Sequence, residues 1–121
     1  MSTSTLKTLT WSTPLSSSTQ TYTYLVNAPD FETDSKRLEL RSDHVNGAKE
    51  GLKTGRIINA GAMFEKDKAL NPSENKMIGS WLLCRAESIE EVEIMCKNDI
   101  YYQKGAWDPE KLEICCVANL L

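Results

Sequence analysis

Histidine is nearly absent from the chain: His44 is the only one among 121 residues. A single imidazole excludes every mechanism within one chain that needs two histidines, whether as metal ligands or as an acid–base pair. Cysteine is also sparse, with four residues and no C-x-x-C spacing. Because zinc ligands usually come in pairs two to four residues apart, we expect no metal site.

Long hydrophobic runs and basic clusters are missing as well. No apolar stretch approaches the ~20 residues of a membrane span, and none resembles the apolar core of a secretory signal. With 14 basic and 17 acidic residues the net charge is −3, so the chain lacks the basic face that contacts to phosphates require. We therefore expect neither a membrane nor a nucleic-acid partner. Cys84, Cys96, Cys115 and Cys116 lie among aliphatic residues and are predicted to be buried, reduced thiols of a cytoplasmic protein.

The first 21 residues differ in composition from the rest of the chain. Ser and Thr dominate them, and they contain one lysine and no acidic residue. Such a segment has few apolar groups to offset the entropy lost on ordering. We predict a flexible extension over residues 1–21, with Trp11 and Leu15 as its anchors, and one folded domain over residues 22–121.

Strand and helix signals alternate from residue 22 onward. Aromatic and β-branched residues predict a strand over 22–26, and a helix from 35 to 54 ends at Gly55, a typical left-handed C-cap. Strands are predicted over 57–63 and 77–85, separated by a polar, exposed loop over 64–76. Ser88 and Glu91 have the spacing of a capping box, which indicates a second helix to about residue 98 before a last strand over 111–117.

The resulting order, β-α-β-β-α-β, predicts an α+β fold of the ferredoxin-like type. Its sheet is four-stranded and antiparallel, with two helices on one face. Apolar residues alternate onto both faces of the predicted strands, for example Trp81 and Leu82 in the third. A second subunit is the simplest cover for the open face, so we expect a homodimer.

Projection of the helices at about 100° per residue locates the polar side chains. An apolar stripe from Leu38 to Leu52 is predicted to be buried, with Arg41 inside it and His44 at its edge. Asp99, just past the second helix, continues the face that points to the core. Arg41 is either a structural ion pair or a snorkelling side chain, or it supplies positive charge to a pocket. Asp99 is either a solvated residue at the helix end or a carboxylate that reaches Arg41, in an ion pair that holds the fold, or His44, whose tautomer it would fix.

Four further residues are candidates for contact with a ligand. Ser80 offers a small hydroxyl in the middle of a strand, where it equally serves as an ordinary strand residue. Gly61 permits the close approach of a ligand or of another backbone, or it marks a bulge. Tyr101 and Trp107 suit the walls of a site for a flat molecule, although such rings often only fill a core.

Five short motifs, in order, resemble those of the YCII-related (YciI-like) family. They are RSDH at 41–44, GRIINAGA at 55–62, GS at 79–80, ESIEE at 87–91, and DIY at 99–101 followed by Gly105. The chain departs from the family pattern at Ala62 and Ile100, where the family has proline. The resemblance covers about residues 22–117 and implies a small ferredoxin-like protein of the dimeric α+β barrel type, either a homodimer or a higher oligomer.

The resemblance also implies a site and a chemistry. The family's active-site histidine and aspartate fall on His44 and Asp99, in a pocket between helices and sheet, and the family includes lyase-like reactions such as dehydrochlorination of a hydroxylated ring. We expect a cofactor-free lyase or isomerase acting on a small oxygenated cyclic metabolite, phenolic or lactone-like. His44 is then the general base, Asp99 orients it, and Arg41 holds an oxyanion. The remaining predicted substrate contacts are Ser80, Gly61, Tyr101 and Trp107. The alternative is a non-catalytic dimer, a small-ligand binder or accessory protein, that uses the same pocket.

Overall fold

A computed structural model describes residues 8–16, 18–68, 71 and 73–118. The elements in chain order are β1 (Tyr22–Pro29), α1 (Arg37–Thr54), β2 (Ile57–Phe64), β3 (Met77–Ala86), α2 (Ile89–Lys97), α3 (Ile100–Gln103) and β4 (Glu113–Val117). The strand order is β2-β3-β1-β4 and every pairing is antiparallel. This is the predicted ferredoxin-like plait, which is confirmed, with the short helix α3 where the sequence indicated a loop.

Local sequence signals set the ends of both long helices. Helix α1 ends at Gly55, whose φ of 84° is a left-handed conformation that suits glycine. Helix α2 begins after Ser88, whose hydroxyl accepts a hydrogen bond from the backbone N–H of Glu91 at 3.4 Å. The Glu91 carboxylate instead accepts from the N–H of Glu87 at 2.7 Å, so only half of the predicted capping box forms. Within the described residues, no helix combines the length and the apolar character that crossing a membrane needs.

One face of the sheet is buried beneath the helices and the other is open. Val26 of β1 lies opposite Leu82 of β3, and both side chains belong to the buried core, which Cys84 extends along the same strand. The next pair in the register, Leu25 and Leu83, points to the other face, where Leu25 is 39 % exposed. The alternation of side chains along a strand therefore leaves an apolar surface uncovered within one chain.

Helix α1 is rotated about its axis relative to the predicted stripe. Its buried residues are Arg37 and Gly51, whereas Leu38 and Leu52 are 75 % and 51 % exposed. The reason is steric, because a β-carbon on Gly51 would lie 2.6 Å from the Cδ1 atom of Ile57. The helix thus approaches β2 closely through a glycine, a contact that a hydrophobicity pattern does not reveal. The prediction of a buried apolar stripe from Leu38 to Leu52 is therefore wrong.

Two of the four thiols that were predicted to be buried are exposed. Cys84 and Cys96 are buried free thiols, and burial raises the pKa of Cys84 to about 12 and that of Cys96 well above its ordinary value. Cys115 and Cys116 are exposed free thiols of β4. The difference arises because β4 is an edge strand that pairs only with β1, so one side of it has no neighbouring strand.

The described residues before β1 pack against the domain. Trp11 is 4 % exposed, as expected for an anchor, while the second expected anchor, Leu15, is only partly buried. Leu9, which the sequence did not single out, is 3 % exposed and belongs to the same core. Residues 8–16 are therefore packed more closely than their composition indicates, and residues 1–7 and 17 lie outside the described part. The division of the chain after residue 21 stays a prediction.

Candidate active site

His44 lies at the centre of a group of buried polar and aromatic side chains. Helix α1 carries it toward α3, where its Nδ1 atom is 2.9 Å from Oδ1 of Asp99. The exposed fractions of the two side chains are 13 % and 4 %. Asp99 is the N-cap of α3, since the same Oδ1 accepts from the backbone N–H of Tyr101 at 2.9 Å. The family has proline at position 100. With Ile100 in its place, the Asp99 carboxylate still points at His44.

The Asp99 carboxylate determines which ring nitrogen of His44 carries hydrogen. Its Oδ2 atom accepts from the indole Nε1 of Trp11 at 2.9 Å, so both oxygens receive donors. An ionised carboxylate only accepts hydrogen bonds, which makes Nδ1 the donor and leaves the lone pair on Nε2. Nε2 has no hydrogen-bond partner in the described part of the chain, and it is not among the fully buried atoms without one. It therefore reaches solvent and can act as a base.

Two aromatic rings hold the imidazole in place. Tyr101 stacks on His44 with 3.8 Å between ring centroids and 5° between planes, and Trp107 meets it edge-on at 5.6 Å. The Tyr101 hydroxyl donates to the backbone carbonyl of Arg37 at 3.1 Å. Burial is the main reason why the pKa of Tyr101 is raised, so its phenol stays protonated and keeps its hydrogen bond to Arg37. Tyr101 is therefore a stacking platform for His44.

A cavity of about 330 Å³ opens beside His44, between α1 and strands β2 and β3. Four of the predicted substrate contacts line it, namely Arg41, Ser80, Gly61 and Tyr101. The other lining residues are Arg37, Val45, Ala48, Lys49, Leu52, Asn59, Ala60, Ala62, Met77, Trp81 and Leu82. Among the described residues this lining contains basic side chains and no acidic one. Nowhere in the described ranges do three or more His, Cys, Asp or Glu side chains cluster so as to hold a metal ion.

Arg41 is placed at the cavity but not in the core. Its side chain is exposed, so the predicted burial is wrong, and it forms no ion pair with any described residue. The proposed Arg41–Asp99 ion pair is also wrong, because Asp99 pairs with His44. Lys49 lines the same cavity two helical turns further along and has no described ion-pair partner either. Two positive charges without a described ion-pair partner therefore line the cavity beside His44.

The buried arginine of α1 is Arg37, which the helical projection missed. Its Nε and Nη2 atoms donate to the two oxygens of Asp30 at 2.6 and 3.0 Å, and Nη2 also donates to Ser80 Oγ at 2.5 Å. The same hydroxyl oxygen accepts from Trp107 Nε1 at 3.1 Å. With two donors on the oxygen, the hydroxyl hydrogen of Ser80 has no acceptor among the described residues and is available to a ligand. The sequence did contain a signal for the position of Arg37, because this residue lies seven residues before His44 and hence on the same helix face.

Trp107 and Gly61 differ from their predicted roles as walls of the site. Trp107 is completely buried behind Ser80 and does not line the cavity. Gly61 does line it, but a β-carbon there would lie 2.8 Å from Trp81 Nε1. The glycine therefore accommodates a side chain of the neighbouring strand. The irregularities in the pairing of β2 lie elsewhere, so Gly61 does not mark a bulge.

The fold and the site together define a class of protein. A four-stranded ferredoxin-like sheet carries a buried His–Asp pair next to a cavity with basic side chains, and all of these features lie in the region from β1 to α3. The YCII-related domain matches residues 20–113. The chain belongs to this family.

Two relatives and one solved structure are similar to the chain over most of its length. Fusaric acid biosynthesis protein 2 of Gibberella fujikuroi is 32 % identical and its counterpart in Gibberella moniliformis 30 % identical, each over 95 residues that cover 75 % of this chain and 88 % of the relative. The 5-chloro-2-hydroxyhydroquinone dehydrochlorinase (TftG) from Burkholderia phenoliruptrix AC1100, solved with 2,5-dihydroxybenzoquinone, has a TM-score of 0.63 and 22 % identity. That match covers 77 % of this chain and 90 % of the neighbour. At that identity the likeness establishes the fold.

Proposed function

We propose that the chain is a small-molecule enzyme, a lyase or isomerase that needs no cofactor. Its proposed substrate is a small oxygenated cyclic metabolite, phenolic or lactone-like. The observation that carries the proposal is the 2.9 Å contact between His44 Nδ1 and Asp99, which leaves Nε2 without a hydrogen-bond partner among the described residues. An imidazole held in one tautomer in this way suits a general base. The hydroquinone named as the neighbour's substrate, and the small-molecule pathway named for the relatives, support this class of substrate.

In the proposed reaction the Nε2 lone pair removes a proton from a phenolic hydroxyl or an activated carbon of the substrate. The resulting imidazolium keeps its Nδ1–H directed at Asp99, whose negative charge stabilises it. The substrate becomes an anion whose developing charge faces Arg41 and the Ser80 hydroxyl. In an isomerisation the proton then returns to a different substrate atom. In an elimination the electron pair expels a leaving group instead.

The charge of the cavity makes an anionic or readily ionised substrate the better match. Arg37 is neutralised by Asp30, so the net positive charge comes from Arg41 and Lys49. Arg41→Met and Lys49→Met should each weaken the binding of an anionic ligand. Lys53→Met is a matched control, since Lys53 lies on the same helix, pairs with Glu50 and is absent from the cavity lining.

The test of function uses the two molecules named for the solved neighbour. Chloride release from 5-chloro-2-hydroxyhydroquinone is followed with the wild type and with His44→Gln, and 2,5-dihydroxybenzoquinone is used as a ligand in thermal-shift measurements. We expect His44→Gln to lose about 100-fold or more in turnover while its ligand-induced shift is retained. Unchanged turnover in His44→Gln would contradict the assignment of the base. If a panel of phenols and lactones raises the melting temperature but none is consumed, the non-catalytic alternative holds.

We propose further that two copies of the chain associate through the open face of the sheet. This face carries Leu25, Trp81, Leu83 and Val117, all of them exposed or only partly buried. An apolar face of this kind suits a self-complementary contact with a second copy, and the two-fold symmetry of such a contact gives a homodimer. A cytoplasmic location is proposed on the free state of the cysteines.

A further inference from the structure

The Asp99 carboxylate receives a donor from outside the domain that defines the family. The family match begins at residue 20, whereas Trp11 lies before it and donates its indole N–H to Asp99 Oδ2 at 2.9 Å. We propose that Trp11 is a positioning residue of the active site, which fixes the Asp99 carboxylate and, through it, the tautomer of His44. The catalytic consequence of this role rests on the proposed function, but the effect on the tautomer does not.

The geometry at Asp99 explains why one more donor matters. Oδ1 accepts from both His44 Nδ1 and the backbone N–H of Tyr101, while Trp11 is the described donor on Oδ2. Rotation of the carboxyl group about its Cβ–Cγ bond would move Oδ1 away from the ring. In a site where the Asp99 side chain is 4 % exposed, a charge-assisted hydrogen bond on the second oxygen opposes that rotation.

Trp11 is itself held in place from the domain. The Thr54 hydroxyl donates to the Trp11 carbonyl at 2.8 Å, and Arg56 Nε donates to the Thr13 carbonyl at 2.9 Å. Arg56 is 4 % exposed and so is a buried support for the segment. A β-carbon on Gly51 would lie 3.0 Å from Trp11 Cβ, which shows how closely the segment lies on α1. Trp11 is therefore held through its backbone carbonyl and also through its indole N–H.

Other acidic groups lie near His44 without sharing this arrangement. A second cavity of about 350 Å³ borders His44 on the side of the N-terminal segment, and its lining includes Asp43 and Glu50 as well as Trp11 and Asp99. Among the described residues only Asp99 bonds to the imidazole. Asp43→Asn therefore changes a nearby charge without touching the hydrogen bonds, and it serves as a control for simple electrostatic effects.

The first experiment compares Trp11→Phe with Leu9→Ala. Phenylalanine keeps most of the buried ring but has no N–H, while Leu9→Ala removes buried volume from the same segment without touching the Trp11–Asp99 hydrogen bond. Because His44 is the only histidine, the ¹⁵N shifts of its ring report the tautomer ratio without assignment. We expect Trp11→Phe to lower the ratio of the Nδ1–H to the Nε2–H form by about tenfold, the size of one hydrogen bond to a charged group. Leu9→Ala and Asp43→Asn should leave the ratio unchanged.

A second measurement uses the wild type and does not depend on whether a variant folds. Because Asp99 joins the two rings, the indole N–H signal of Trp11 should shift over the same pH range in which the His44 ring titrates. A Trp11 signal that ignores this titration, or a tautomer ratio in folded Trp11→Phe equal to that of the wild type, overturns the proposal. Where a substrate is turned over, Trp11→Phe should lower kcat about tenfold with little change in KM. An absence of turnover in the wild type contradicts only the proposed function, because the tautomer ratio is measured without substrate.

Discussion

Two arginines one helical turn apart on α1 should respond differently to the same substitution. Arg37 and its partner Asp30 have side chains that are only 8 % and 6 % exposed, joined by two hydrogen bonds, and Arg37 also donates to Ser80. Arg41 is exposed and has no described ion-pair partner. Methionine keeps an aliphatic chain but removes the charge, so a comparison of Arg37→Met with Arg41→Met isolates the contribution of each guanidinium.

The expected losses in the free energy of unfolding follow from how deeply each arginine is buried. Arg37→Met leaves the Asp30 carboxylate buried without its cation, and breaking a buried pair in this way costs about 3–5 kcal/mol. For a domain of 121 residues such a loss lowers Tm by roughly 10–20 °C. Arg41→Met removes a solvated charge, and we expect a change of less than about 0.5 kcal/mol.

Thermal and urea unfolding of the two variants and the wild type provide the assay. Asp30→Asn in the Arg37→Met background should restore part of the lost stability, because the uncompensated charge is then removed. Equal melting temperatures for the two single variants, or a larger loss for Arg41→Met, would refute the conclusion that Arg37 is the buried cation of α1.

Thiol labelling, alkaline titration and sedimentation test the burial of the cysteines and the role of the open face. A thiol reagent at pH 8 should label Cys116 in the folded protein but Cys84 and Cys96 only after denaturation, and rapid labelling of Cys84 and Cys96 in the folded protein would contradict their burial. The folded pKa of Cys84 is about 12 against 9.0 when exposed. The unfolded chain therefore releases this proton first, and Cys84 alone lowers stability as pH rises above 9, by about 2 kcal/mol at pH 10.5. Burial also raises the pKa of Cys96, which acts in the same direction. Cys84→Ala should therefore make the fall in stability shallower in urea titrations without abolishing it, and an unchanged slope would contradict the contribution of Cys84. Leu83→Asp on the open face should convert a dimer to a monomer in sedimentation, and an unchanged mass would count against this interface.

The order of the elements could be predicted from the sequence because it depends on local rules. Gly55 ends α1 in the expected left-handed conformation, and the Ser88 hydroxyl caps α2. Strands with alternating apolar residues were found to within a few residues at each end. The short helix α3 was missed because one turn, capped by Asp99, has no periodicity that a pattern can detect.

The orientation of α1 could not be predicted from hydrophobicity. Its inner face is formed by Arg37, His44 and Gly51, spaced seven residues apart, and a hydrophobicity scale treats these residues as polar or neutral. Their burial depends on partners distant in sequence, such as Asp30 for the arginine and Ile57 for the glycine. Apolar residues are often exposed in folded proteins, so the leucines of α1 were a poor guide to the core.

The candidate site was predictable in part. The projection directed both His44 and Asp99 toward the space between helices and sheet, and the resemblance to the family selected the same two residues. Their catalytic roles stay predictions. The contact between Trp11 and Asp99 spans 88 positions in the sequence, and no spacing rule predicts it. The one signal was a tryptophan in an otherwise polar segment, which indicated an anchor but not a hydrogen bond to the carboxylate.

The ring ¹⁵N spectrum of His44 in the wild type shows which ring nitrogen carries the hydrogen, on which the assignment of the base depends. The single histidine gives one pair of ring signals, and their shifts in the neutral form distinguish a protonated Nδ1 from a protonated Nε2. We predict that Nδ1 carries the hydrogen and that Asp99→Asn shifts the population toward the Nε2–H form. A neutral ring protonated mainly on Nε2 in the wild type would rule out Nε2 as the base, because that nitrogen would then have no lone pair with which to remove a proton.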